Sequence, residues 1–297
     1  MRRETRSWLF VPGDDEHKIA KGARAGADAV ILDLEDAVVG SRRPMARELL
    51  AEYLESPDPD GESATETWVR INPLDTADAL PDLAAVVTGR LAGIVLPKPR
   101  RGSDVTQLCH YLSALEARAG LHAGSVEIMV VATETPEMMF RLEELGGSST
   151  RLRACTWGAE DLATALGAAT NKGEDGDFDT PYQLARSLCL FAAGAAGVQA
   201  VDTLYGSFRD DEGLLASTRL ALRQGFTGKL AIHPRQVPVI NQALTPSADD
   251  VAEAVAVIDA FASQPQAGAV SLDGRMLDRP HLVQAERMVA RAARRSR

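Results

Sequence analysis

No apolar stretch in the sequence reaches the roughly 20 residues that a membrane-spanning helix needs, so no membrane is expected as a partner. Positive charge is also short. Lys and Arg number 32 against 42 Asp and Glu, a formal net charge of −10. Nucleic acids and anionic membranes bind through excess cation, so neither is expected here, although a local basic patch for an anionic ligand fits the same balance. Cysteine is scarce. Cys109, Cys155 and Cys189 show no CxxC spacing and cannot all pair; they read as reduced, buried thiols of a cytoplasmic protein. The apolar run Trp8–Val11 is too short for a secretory leader, and acidic residues follow it at once. The five histidines form neither HxH nor HExxH, which leaves no zinc spacing. There is no GxSxG, the nucleophile turn of α/β-hydrolases. No GxGxxG follows the first apolar run, which argues against a Rossmann sheet. Linkers rich in Gly, Ser or Pro, tandem repeats and low-complexity tracts are missing too.

What the chain has is alternation. Eight short β-branched or apolar runs are visible: Ser7–Val11, Ala29–Leu34, Trp68–Ile71, Gly93–Leu96, Val126–Ala132, Ala154–Trp157, Ala200–Tyr205 and Leu230–Ile232. Between them lie stretches at helical spacing, namely His17–Ala25, Pro44–Leu54, Ala79–Thr88, Asp104–Arg118, Pro136–Leu145, Leu184–Ala195 and Gly213–Gln224. Runs that are apolar throughout indicate parallel strands buried on both faces. Eight such units in 297 residues fit a TIM (β/α)8 barrel over residues 1–240. Residues 241–297 then form a C-terminal helical extension. TPSADD signals a helix start, predicting helices over Val251–Ala262 and Pro280–Arg294 on either side of a Gly-bearing run, Gly268–Gly274. The acidic, turn-rich segment Glu55–Thr67 reads as a surface loop.

In such a barrel the chemistry sits where strands end. Glu134 and Asp161 end the fifth and sixth runs and together offer the oxygen-rich site that Mg²⁺ prefers; equally, each suits the N-terminus of the helix that follows it. Arg70 ends the third run and offers a planar fork for a carboxylate, or an ion pair with Asp33 or Glu35. Asp33, Glu35 and Asp36 lie within four residues; such crowding is costly without a cation nearby, which points to contacts with metal waters or Lys/Arg partners. Lys98 and Glu160 are further polar strand-end groups. His233 in AIHPRQ suits either a base or a hydrogen-bonded structural role.

The segments RSWLFVPG, GADAVILDLEDAV, VRIN, GIVLPK, TETP, GAEDLATALG, GFTGKLAIHPRQV and LDGRMLD occur in this order across almost the whole chain. Together they resemble the citrate lyase beta-subunit-like proteins of the HpcH/HpaI aldolase superfamily, which includes malyl-CoA and citramalyl-CoA lyases. The resemblance implies a TIM barrel with a C-terminal helical extension packing on a neighbouring subunit of a homotrimer or hexamer. It implies Mg²⁺ on Glu134 and Asp161, with Mn²⁺ an alternative that takes the same oxygens. It also implies that Arg70 binds the keto-acid oxygens and that Asp278 acts in catalysis from the tail; Asp278 also suits a helix cap. Arg43 stands near a position where many relatives carry lysine. The expected activity is Mg-dependent cleavage of a 3-hydroxy-acyl-CoA thioester to acetyl-CoA and a keto acid. The CoA phosphates need cations, for which Lys18, Lys21 and Arg100 are available. The rivals are a malyl-CoA-type thioester hydrolase, an aldolase on free hydroxy-keto acids, and a partner-dependent citrate lyase beta subunit acting on a citryl carrier thioester.

Overall fold

A computed structural model of the protein describes residues 4–56, 65–174 and 176–293. β1 (Ser7–Pro12) leads to α1 (Glu16–Ala23), β2 (Ala29–Asp33) to α2 (Arg43–Glu55), and β3 (Glu66–Arg70) to α3 (Ala79–Val86). β4 (Gly93–Leu96) leads to α4 (Gly102–Ala119), and β5 (Glu127–Val131) to α5 (Pro136–Met139). β6 (Leu152–Thr156) is followed by α6 (Glu160–Leu166) and α7 (Thr180–Ala196). β7 (Gln199–Asp202) leads to α8 (Asp211–Gln224), and β8 (Gly228–Ala231) to α9 (Gln236–Ala243).

The eight strands are all parallel and close into a barrel, β8 pairing with β1. It is the TIM barrel read from the alternation. Its interior is filled by side chains: Trp8, Ile31, Trp68, Val95, Met129, Ala154, Val201 and Leu230 form one buried cluster. Trp8 and Trp68 meet edge to face at 5.0 Å. The two indoles leave no space opposite them, and Gly93 on β4 answers that: a Cβ there would sit 2.3 Å from the Trp68 ring.

Two expectations are corrected. The single helix read over Pro136–Leu145 is instead α5 followed by a 3-10 turn at Leu142–Leu145. Met138, Leu142 and Leu145 are still buried, so the i, i+4, i+7 spacing is satisfied without continuous helix. α7 begins four residues before the expected Leu184, because Thr180-Pro181 opens its first turn behind an extended Asp179. For the expected acidic loop, residues 57–64 lie outside the described residues, as does Arg294, the expected end of the last helix.

The unit from Thr5 to Asn241 is compact, and a second compact unit begins at Gln242. This second unit contains α10 (Ala248–Ala262), an antiparallel hairpin of β9 (Ala269–Leu272) and β10 (Arg275–Asp278), and α11 (Arg279–Ala293). Ser247 and Asp250 cap α10 reciprocally, as TPSADD predicts. The Gly-bearing run holds β9 and the hairpin's turn, where Asp273 and Gly274 both take positive φ. Val257, Phe261, Val270, Leu277 and Leu282 give this unit a core of its own.

Candidate active site

Parallel strands in a barrel deliver their last residues to one mouth. Here that mouth gathers Asp33, Glu35, Asp36, Arg70, Lys98, Glu134 and Asp161. Asp33 ends β2 and Arg70 ends β3, side by side in register. The guanidinium forks onto Asp33, Nε donating to Oδ1 and Nη2 to Oδ2, each at 2.7 Å. The same carboxylate accepts the backbone N–H groups of Glu35 and Ala37. Asp33 is thereby satisfied on both oxygens and fixes the arginine. The Nη1 atom of Arg70 lies 3.0 Å from Glu35 Oε2 and 3.5 Å from Asp36 Oδ2. Behind the guanidinium, 4.9 Å away, lies the ring of Phe10.

Lys98 follows β4 in a left-handed conformation with φ at 48°, which is rare for a residue with a Cβ. That turn aims its backbone N–H at Glu134 Oε2, 2.7 Å away. Its ammonium meanwhile reaches Glu35 at 2.7 Å, Asp36 at 3.3 Å and Asp161 at 3.1 Å. Lys98 thus ties the acids of β2 to those that follow β5 and β6.

Neither Glu134 nor Asp161 serves as a helix cap. Thr135 caps α5 by accepting the Met138 N–H, and Asp161 lies within the first turn of α6. Glu134 is buried, and burial pushes its carboxyl up to about 8, with the Glu35 charge adding to the rise. Burial likewise lifts Glu35 to about 7, against the pull of Arg70 and Lys98. Burial opposes the charges on Arg70 and Lys98, but their carboxylate partners outweigh it and both bases are strengthened. Gly158 leaves the room beside Glu134: a Cβ there would lie 3.2 Å from Oε1.

Other residues singled out from the sequence lie elsewhere. Glu160 is exposed on the first turn of α6. Lys18 pairs with Asp15, its helix cap, and Lys21 is exposed on the same helix, α1. Arg100 pairs with Asp75 at the surface. Arg43 holds Asp78 at 2.6 Å. His233 accepts the Arg235 N–H and stacks on Phe208. Asp202, a strand-end carboxylate, is bound by Trp157, Arg186 and Lys229. Asp278 belongs to the second unit, where its carboxylate lies 2.5 Å from His281 Nδ1. Phe10 and Gly158 went unread in the sequence. The only signal for Phe10 is its place two residues after Trp8 on one strand face; Gly158 stands in the GAED turn with nothing to mark its neighbour.

Comparison with known proteins adds the following. The family model described as HpcH/HpaI aldolase/citrate lyase matches residues 6–234. A second, C-C bond lyase of the TIM-barrel fold, matches residues 187–294. The citrate lyase subunit beta of Haemophilus influenzae is 35% identical over 289 residues, covering 97% of this chain and 96% of that one. The mitochondrial citramalyl-CoA lyase of Rattus norvegicus is 32% identical, covering 97% and 86%. CitE of Mycobacterium tuberculosis, solved in complex with magnesium, acetoacetate and coenzyme A, superposes with a TM-score of 0.79 at 34% identity, covering 99% of this chain and 100% of that one. Matched along barrel and tail alike, the chain belongs to the HpcH/HpaI aldolase/citrate lyase family.

Proposed function

We propose that the protein is a Mg²⁺-dependent carbon–carbon lyase that cleaves a 3-hydroxy-acyl-CoA thioester of the malyl or citramalyl type into acetyl-CoA and a keto acid. The observation that carries this reading is the charge imbalance of the mouth. Five carboxylates, Asp33, Glu35, Asp36, Glu134 and Asp161, face two cations, Arg70 and Lys98. Buried carboxylates are stable only when paired. Among the described residues Glu35 Oε2 has no well-aligned donor, and Glu134 accepts from the Lys98 backbone N–H alone.

These residues fit a divalent cation. Among the described residues no three His, Cys, Asp or Glu side chains converge as a closed metal cage. Mg²⁺ asks for less: one or two carboxylates, with waters and substrate oxygens completing its shell. Glu134 and Asp161 would hold it, with Glu35 and Asp36 toward its waters. Once bound, it supplies Lewis-acid polarisation of the substrate's hydroxyl and carboxylate oxygens; Mn²⁺ would serve the same site.

The protein's own groups supply the remainder. Arg70, already held rigid by Asp33, presents Nη1 to the carboxylate of the keto-acid half. Lys98 balances charge beside it. In the retro-Claisen step the bond between the carbinol carbon and the thioester α-carbon breaks. The hydroxyl proton passes to solvent, the hydroxyl oxygen becomes the keto oxygen, and the electron pair of the broken bond passes to the α-carbon as a thioester enolate. A proton returned to that carbon completes acetyl-CoA, and no water is consumed. Asp278 is the group assigned to this proton, reaching a neighbouring subunit's barrel in a trimer or hexamer. Lys18, Lys21 and Arg100 are assigned to the CoA phosphates. The free thiols of Cys109, Cys155 and Cys189 suit a reducing cytoplasm. No helix among the described residues is long and apolar enough to cross a membrane.

The test is to incubate the protein with malyl-CoA and citramalyl-CoA, with Mg²⁺ or EDTA, and to identify the products by mass spectrometry. Acetyl-CoA with glyoxylate or pyruvate, abolished by EDTA, is the expected result. Free CoA with intact diacid would replace the lyase by a hydrolase. Turnover of a citryl carrier thioester alone would make the chain a partner-dependent subunit.

A further inference from the structure

The charged groups are not spread evenly round the mouth. Those gathered at the site come from β2 and β3, or from the segments that follow β2, β4, β5 and β6; Asp202, which ends β7, is taken up by Trp157, Arg186 and Lys229, and Asp14, after β1, by Arg42. The remaining arc, formed by β7, β8 and β1, offers Leu204, Ile232 and Phe10. Trp8 pairs with Leu230 and Leu9 with Ala231, the last pair between β1 and β8, and Phe10 and Ile232 are the residues that follow that pair toward the mouth. Trp8 and Leu230 both belong to the internal core. Side chains alternate along a strand, which puts Phe10 on the same interior side as Trp8, one layer nearer the opening; Ile232 is the first residue past the end of β8. Phe10 and Leu204 pack against that core. Ile232 is 39% exposed, an aliphatic side chain left open beside an ionic site. Phe10 also backs the Arg70 guanidinium at 4.9 Å. A substrate carbon next to the carboxylate gripped by Arg70 is therefore close to this arc.

Building on the lyase reading above, we propose that Phe10, Leu204 and Ile232 form an apolar wall that receives an alkyl substituent on the substrate's carbinol carbon. The wall makes the methyl-bearing, citramalyl-type thioester, which releases pyruvate, a better substrate than the malyl thioester, which releases glyoxylate. The bonds made and broken are those given above; the methyl group is a spectator that dehydrates the wall as it binds. Ile232 is the specificity-determining residue, because it is the most open of the three and its backbone N–H is already held by Gln236 at 2.8 Å. A change of its side chain leaves that bond in place.

The experiment measures kcat/KM for both thioesters with Mg²⁺-loaded wild type, Ile232→Ala and Ile232→Phe. The competing inhibition by pyruvate and by glyoxylate gives a second readout that needs no change in chemistry. A single methyl in a hydrophobic pocket discriminates by roughly 10- to 200-fold. The wild type is expected to prefer the methyl-bearing thioester by at least about tenfold. Ile232→Ala should lose roughly tenfold on that substrate and less than about threefold on the malyl thioester, with pyruvate inhibition weakening in parallel. Ile232→Phe should fill the space and exclude the methyl. An equal loss on both substrates, or a wild type that prefers the malyl thioester, would overturn the wall while leaving the lyase intact. If the wild type cleaves neither thioester, the lyase reading falls and takes the wall with it.

Discussion

Replacing Glu134 by Gln should make the metal-free protein more stable at neutral pH, not less. Glu134 is buried, and its carboxyl is lifted from the ordinary 4.5 to about 8. The folded state therefore holds that proton more tightly than the unfolded chain does. Between pH 4.5 and 8 the folded form binds the extra proton, so stability falls as pH rises through this window. Each pH unit is worth about 1.4 kcal/mol. At pH 7 the loss from this group is on the order of 3 kcal/mol, before water entry and coupling to Glu35 reduce it. Gln keeps the shape and can still accept the Lys98 N–H, but it has no charge to desolvate. Thermal midpoints in EDTA, from pH 5 to 8, should fall steeply for wild type and less steeply for Glu134→Gln, which keeps only the fall due to Glu35. For a protein of this size 1 kcal/mol moves the midpoint by about 2–4 °C, so a gap of several degrees should open by pH 8. Mg²⁺ at a hundredfold excess over Kd should stabilise the wild type by about 2.7 kcal/mol, raising its midpoint, and leave the variant unmoved. A variant less stable than wild type at pH 8 in EDTA, or one with the same pH slope, would refute this reasoning.

Other outcomes follow from the same contacts. Arg70→Lys keeps the charge but cannot reproduce the fork onto Asp33; kcat/KM should fall by about 100-fold or more, measured by steady-state assay. Gly158→Ala would press a Cβ to 3.1 Å from Glu134 Cγ; Mn²⁺ affinity, read by titration calorimetry, should weaken by roughly tenfold, in the range found when a metal ligand's support is disturbed. Glu116, which binds Arg151 and two backbone N–H groups, is held down at about 2. Its stabilisation is present above pH 4.5 and lost as pH falls toward 2, so Glu116→Gln should cost about 3 kcal/mol in urea denaturation at pH 7, and the deficit should close as pH falls through that window. If Asp278 acts on a neighbouring barrel, mixing the inactive Asp278→Asn and Arg70→Lys proteins should restore activity by forming hybrid sites; mixtures as inactive as their parents would place Asp278 elsewhere.

The barrel is legible in the sequence because its strands are buried on both faces and read as apolar runs. Their edges are less legible. β3 begins at Glu66, which a hydrophobicity reading leaves out, because Glu66 is paired with Arg153 and Trp68 rather than exposed. The break between α5 and the following 3-10 turn is invisible for the opposite reason, since Met138, Leu142 and Leu145 keep their helical spacing across it. At the mouth, strand-end position and residue type were enough to single out Arg70 beside Asp33, because both end neighbouring strands. The Lys98 backbone donor to Glu134 was not legible: it depends on a left-handed φ, and lysine has no preference for one. Phe10, Leu204 and Ile232 were equally silent, because an apolar residue at or just past the end of a strand reads as core until the closed barrel shows which end is the mouth.

The central claim is that this mouth breaks a carbon–carbon bond without water. The most direct measurement is a single reaction of the Mg²⁺-loaded protein with citramalyl-CoA in deuterated, ¹⁸O-enriched water, read by mass spectrometry. The account predicts pyruvate together with acetyl-CoA whose methyl group carries one solvent deuterium, placed there as the enolate is quenched. Free CoA and a diacid bearing ¹⁸O in its new carboxylate would show that the thioester had been hydrolysed, and would contradict it.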